Sequence, residues 1–140
     1  MKKILLNTGK KILKNVIEPL YIESSFVQVY SGVNEKLSKV NSLCAIHLLY
    51  WSIERMNKYN TLTLTKAEKK MFIYDMRNKY SLSGVNKGLA RLKECGIIDT
   101  TNEWLFNGDK EYYINPYYFW KNPVKNSRIE MIKALELERK

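Results

Sequence analysis

Along this chain apolar residues recur at helical spacing in some stretches and alternate with polar ones in others, so the pattern predicts a succession of elements. Between Asn41 and Asn57, Leu43, Ile46, Tyr50, Ile53 and Asn57 fall on one face with Leu49, Trp51 and Met56 beside it. That arrangement predicts a central helix, apolar on most sides. Leu62 and Leu64 then alternate with threonines in a short strand. Thr65-Lys66-Ala67-Glu68 has the form of a capping box, in which the Thr hydroxyl and the Glu carboxylate each take a free amide of the first turn, so a helix runs from about Lys66 to Arg77. Asn78-Lys79-Tyr80-Ser81 breaks it, and a second helix from about Gly84 to Cys95 stops at Gly96, which tolerates the left-handed conformation.

After Gly96 the period changes to that of a strand. Ile97 and Ile98 open a run to Trp104-Leu105-Phe106, then come Asn107-Gly108 and a second run from Lys110 to Asn115. Asn-Gly between alternating runs predicts a β-hairpin, because a type I′ turn needs positive φ at both central residues. Pro116 ends the second strand. Tyr117-Tyr118-Phe119-Trp120 reads as an aromatic plug under the hairpin, with a base-stacking platform as the competing reading. Ser127-Arg128-Ile129-Glu130 is a second capping box and starts a terminal helix; its Ile129, Ile132 and Leu135 form a seam that docks on the domain or pairs with a second chain. Upstream, Lys3–Leu6 reads as a strand and Leu20–Tyr30 as another, the latter covering the sheet or pairing with a partner; an amphipathic helix competes for the first seventeen residues.

The order helix, short strand, helix, helix, hairpin is that of an α+β winged helix-turn-helix. The predicted organisation is an N-terminal β arm (1–32), a winged-helix domain (33–122) and a C-terminal helix (123–140). Within the second of the paired helices Val85, Leu89 and Leu92 form one apolar stripe, and Ser83, Asn86, Lys87, Ala90 and Arg91 point the other way. Small residues, an amide and two long cations suit entry into a DNA major groove, where Asn pairs with adenine edges and Arg or Lys with guanine edges. The competing reading of that face is the solvated side of an ordinary core helix.

Charge supports a polyanionic partner: 24 Lys and Arg against 14 Asp and Glu give +10 over 140 residues. The excess lies in the first seventeen residues (+5), in 61–80 (+3) and in the last twenty-five (+3), whereas the hairpin, 97–115, carries −3. Asp99, Glu103, Asp109 and Glu111 against Lys110 make that wing a poor phosphate clamp. Phosphate contacts are therefore expected from Lys66, Lys69, Lys70, Arg77, Lys79 and the N-terminal lysines. No apolar run approaches the roughly 18 residues of a membrane span, and the start lacks a signal-peptide core, so the expectation is a cytoplasmic protein with no membrane partner. Cys44 and Cys95 sit on apolar sides of helical patterns and read as free buried thiols.

The chain from Phe26 onward resembles the winged-helix replication proteins of small plasmids and phages, including the RepL-like initiators of Gram-positive bacteria. The resemblance rests on Leu48-Leu49-Tyr50-Trp51 followed by Met56-Asn57, on Leu62–Lys66, on Leu89–Ile98, and above all on Tyr113-Ile114-Asn115-Pro116-Tyr117-Tyr118-Phe119-Trp120-Lys121. It implies binding of an origin on double-stranded DNA, with host replication proteins as further partners and a homodimer on a repeated or palindromic site. Two features depart from the pattern. The paired helices lack the usual small residue and glycine turn, and Gly88 stands in mid-helix, where it costs about 1 kcal/mol against Ala.

Enzyme chemistry finds no constellation. A rolling-circle nickase needs two metal-binding histidines near a Tyr, and the single His47 reads instead as a core or rim imidazole bonded to backbone. Thr8-Gly9-Lys10-Lys11 lacks the rest of a phosphate-binding loop, and no Cys-His or Ser-His-Asp grouping is evident. The expectation is a non-enzymatic protein with no metal or cofactor. A transcriptional repressor of the same fold and a protein-docking winged helix stand as alternatives.

Overall fold

A computed structural model describes residues 27–104, 110–121 and 125–138. The predicted strand Lys3–Leu6, most of the strand Leu20–Tyr30 and the Asn107-Gly108 turn lie outside the described residues. In chain order the elements are β1 (Gln28–Val29), α1 (Val33–Val40), α2 (Leu43–Arg55), β2 (Thr61–Thr63), α3 (Lys66–Asp75), α4 (Leu82–Glu94), β3 (Ile98–Trp104), β4 (Lys110–Ile114), β5 (Phe119–Trp120) and α5 (Lys125–Glu138). The result is a mixed α+β structure. Its antiparallel strands form a three-stranded sheet in the order β2-β4-β3 and a two-stranded ribbon, β1-β5.

Helix α1 has no counterpart in the sequence reading, although Val33, Leu37 and Val40 recur at i, i+4 and i+7. It starts after Gly32 at φ 92° and ends at Asn41 in the left-handed region at φ 49°, so the chain turns within two residues into α2. Helix α2 is central, as expected, but its buried face is turned from the one the sequence suggests. Ala45, Leu48, Leu49, Ser52, Ile53 and Met56 are buried, whereas Leu43 is 67% and Tyr50 50% exposed. Ser42 caps its start by accepting from the Ala45 N–H at 3.1 Å.

The core joins α2 to Phe72 of α3, to Val85, Leu89 and Leu92 of α4, to Ile97 before β3, and to Ile98 and Ile114 of the sheet. Burying each such side chain contributes about 1.5–3 kcal/mol. Trp51 donates its indole N–H to Asp75 Oδ2 at 2.8 Å, and Arg55 lies 3.9 Å over the same ring, which ties the ends of α2 and α3 together. Asn60 is fully buried at φ 62°. Its amide donates to the carbonyls of Ile114 (3.0 Å) and Phe119 (2.6 Å), so one side chain pins the entry to β2 against β4 and β5.

Residues 27–30 pack with the C-terminal part of the domain, because β1 pairs with β5 and the Tyr30 N–H donates to the Tyr118 carbonyl at 2.9 Å. The β1–β5 pairing crosses the boundary placed at residue 32. Phe119 and Trp120 are buried as an aromatic plug, but Tyr117 is exposed. The terminal helix begins at Lys125, which puts Ser127 inside its first turn and not at the expected cap. Arg128 fastens α5 to the body: its guanidinium lies 3.7 Å over the Tyr30 ring and donates to the Pro116 carbonyl at 2.7 Å.

Candidate nucleic-acid interface

Local chemistry fixes both ends of the α3–α4 pair. Thr65 Oγ1 accepts the Glu68 N–H at 3.2 Å, and Glu68 Oε1 accepts the Thr65 N–H at 2.9 Å, the reciprocal box the sequence predicts. Burial alone would raise the Glu68 pKa, but hydrogen bonds from the Thr65 backbone and from the Thr63 and Thr65 hydroxyls, with the Arg55 charge, outweigh it and hold the carboxyl below its ordinary range. Ser81 caps α4 by accepting from the Gly84 N–H at 3.0 Å, so the helix starts two residues before the predicted Gly84. Its far end closes as a Schellman motif: Gly96 at φ 74° donates to the Lys93 carbonyl and Ile97 to that of Leu92.

The connection between the helices is a second Schellman motif. Arg77 donates to the Tyr74 carbonyl and Asn78 to that of Ile73, both at 2.9 Å. Arg77, at φ 57°, occupies the position where glycine is usual, and a side chain in that region costs roughly 1–2 kcal/mol. This accounts for the missing glycine turn: the turn forms, with an exposed cation in the strained place.

Helix α4 buries Val85, Gly88, Leu89 and Leu92 against α2 and the sheet. Gly88 meets the α2 backbone, where an added Cβ would lie 3.2 Å from both Cα and N of Ala45. The mid-helix glycine therefore serves close packing of two helices, on the side away from solvent. On the opposite side Ser83, Asn86, Lys87 and Ala90 are exposed as predicted.

Arg91 departs from the base-reading role expected of it. Its Nε donates to the Val40 carbonyl at 2.9 Å, one terminal nitrogen donates to the Lys39 carbonyl, and the other to Glu94 Oε1 at 3.1 Å. The last carbonyls of a helix carry the negative end of its dipole and have no partner within the helix, so a guanidinium binds them well. Arg91 is accordingly a clamp between α4 and α1.

On the other flank of α4, Leu64, Lys66, Lys69, Leu82, Asn86, Lys110 and Tyr112 line a groove of about 240 Å³. The start of α3, the start of α4 and β4 supply one wall each. Lys69 Nζ donates to Asn86 Oδ1 at 2.9 Å across it. Lys70, Arg77 and Lys79 are exposed but do not line this groove. Lys110, set aside because the hairpin is acidic overall, stands beside Lys66 and Lys69. Strand alternation puts Lys110 and Tyr112 on one face, whereas Glu111 on the other accepts a hydrogen bond from Thr101 Oγ1 at 3.2 Å. A period of two applied to β4 would have found this; net charge over the hairpin hid it.

His47 bonds to a side chain and not to backbone, its Nδ1 lying 2.7 Å from the Tyr80 hydroxyl. Cys44 and Cys95 are free and half-buried, and burial pushes the Cys44 thiol up. Among the described residues there is no group of three or more His, Cys, Asp or Glu placed to hold a metal, and no helix long and apolar enough to cross a membrane. Comparison with protein-family models, curated proteins and solved structures finds no match to this chain.

Proposed function

We propose that the chain is a winged-helix protein that binds double-stranded DNA in a sequence-specific manner, acting as an origin-binding replication initiator of a plasmid or phage. The observation that carries this reading is the exposed Ser83–Asn86–Lys87–Ala90 face of α4 beside a groove walled by Lys66, Lys69 and Lys110. The element order from α2 to β4, with the sheet order β2-β4-β3, supports a winged helix whose third helix is α4. In this reading α4 enters the major groove, and Lys66, Lys69, Lys70, Lys110 and the strained, cationic turn at Arg77 and Lys79 meet phosphates. The initiator role rests on the sequence resemblance; host replication proteins and a second copy of the chain complete the proposed assembly.

A gel shift against fragments of its own replicon at two salt concentrations tests the reading. Binding to one fragment should survive competitor DNA and fall steeply with salt. Binding that is indifferent to sequence and salt would overturn it. Repeats beside the coding region as the bound element would favour initiation over repression.

A further inference from the structure

Resting on the DNA-binding reading above, we infer that the Lys69–Asn86 pair makes α4 a reader of guanine at the position Asn86 faces, not of adenine. An asparagine reads adenine with both halves of its amide, the oxygen accepting from N6 and the nitrogen donating to N7. That requires an oxygen open to the base. Here Lys69 Nζ lies 2.9 Å from Asn86 Oδ1. An ammonium group only donates, so the atom facing it is the oxygen, and the chemistry itself fixes the orientation of the amide. The second lone pair of Oδ1 lies beside a positive charge that repels the hydrogens of an incoming amino group. What the pair turns outward is a surface of donors: the Asn86 Nδ2 hydrogens and the remaining Lys69 N–H bonds.

Guanine presents two acceptors, O6 and N7, on its major-groove edge; adenine presents an acceptor and a donor, and cytosine a donor. A donor-only pair therefore matches both acceptors of guanine, meets only the single O4 acceptor of thymine, and is mismatched with cytosine outright. Lys66 lines the same groove, and its field favours the approach of acceptor atoms. Arg91, the side chain on α4 best shaped for guanine, is engaged by the carbonyls of α1. Lys69, which belongs to α3, thus acts as a positioning residue that sets the specificity of Asn86 on α4.

The test is selection of bound duplexes from a randomised library by the full chain and by three variants. The wild type should enrich guanine at one position, by roughly ten- to a hundredfold over the other bases. Asn86→Ala should lose that preference. Lys69→Met, which removes the donor and keeps the stem, should convert the position to adenine. Lys66→Met removes a charge from the same groove without touching the amide, and should weaken all duplexes while keeping guanine. Adenine in the wild-type site overturns the inference, as does a Lys69→Met variant that loses affinity as Lys66→Met does and keeps the same base. Absence of any enriched duplex with the wild type overturns the DNA-binding reading itself, which is a separate result.

Discussion

The two flanks of α4 set similar side chains to opposite work. On one flank Lys66, Lys69 and Lys110 line an open groove beside Asn86; on the other, Arg91 is spent on the terminal carbonyls of α1. Arg91 projects from α4 itself, whereas the lysines reach the surface around α4 from α3 and β4. A cation on such a face is available to a ligand only where no helix C-terminus lies within reach, because those carbonyls compete for it with a partial charge of about −0.5. The difference also separates the two flanks by role: the Arg91 flank holds α4 to α1, and the lysine flank borders the groove beside Asn86.

Substitution of Gly88 by Leu should break the comparison most severely, since it wedges α4 off the α2 backbone on which both flanks depend. A loss of about 3 kcal/mol in urea denaturation is expected. An unchanged midpoint would show that the close contact with Ala45 is not needed. Replacing Lys66, Lys69 and Lys110 together by Gln should reduce DNA affinity tens of times at moderate salt and lower the salt slope by about three, with stability within about 0.5 kcal/mol for each site. If neutralising Lys110 alone costs more than losing Lys69 and Lys70 together, the wing and not α3 is the main phosphate clamp.

Arg91→Met should do the reverse, destabilising by about 1 kcal/mol, a value discounted because the side chain is 41% exposed, while leaving base preference intact. Lost discrimination with unchanged stability would return Arg91 to the reading surface. The smallest effect is expected at Glu68. Its folded pKa lies below the ordinary 4.5, so its contribution to stability is fully present above that pH and is lost as the pH falls through the folded value. Glu68→Gln should flatten the acid limb of a stability–pH profile slightly; an unaltered limb would show that the box does not couple to titration.

The capping box at Thr65, the stop at Gly96 and the exposed face of α4 were legible in the sequence because each depends on residues within a turn or two. The burial of α2 was read a step out of phase: Leu43 and Tyr50 are apolar enough to claim the core, yet the close approach of Gly88 selects the small Ala45 instead. Asn60 gave no signal, since an isolated polar residue between a helix and a strand looks like a loop position until its carbonyl partners at 114 and 119 are brought to it.

By itself the sequence determined the order of elements from α2 to β4, the cap at Thr65, the stop at Gly96 and which side of α4 is polar, since hydrogen bonds within a turn and the alternation of side chains are local quantities. Only the tertiary structure decided which of the polar residues remain available. Arg91 finds its carbonyls 51 residues away and Lys69 finds Asn86 across 17, and no local pattern encodes a meeting over that distance.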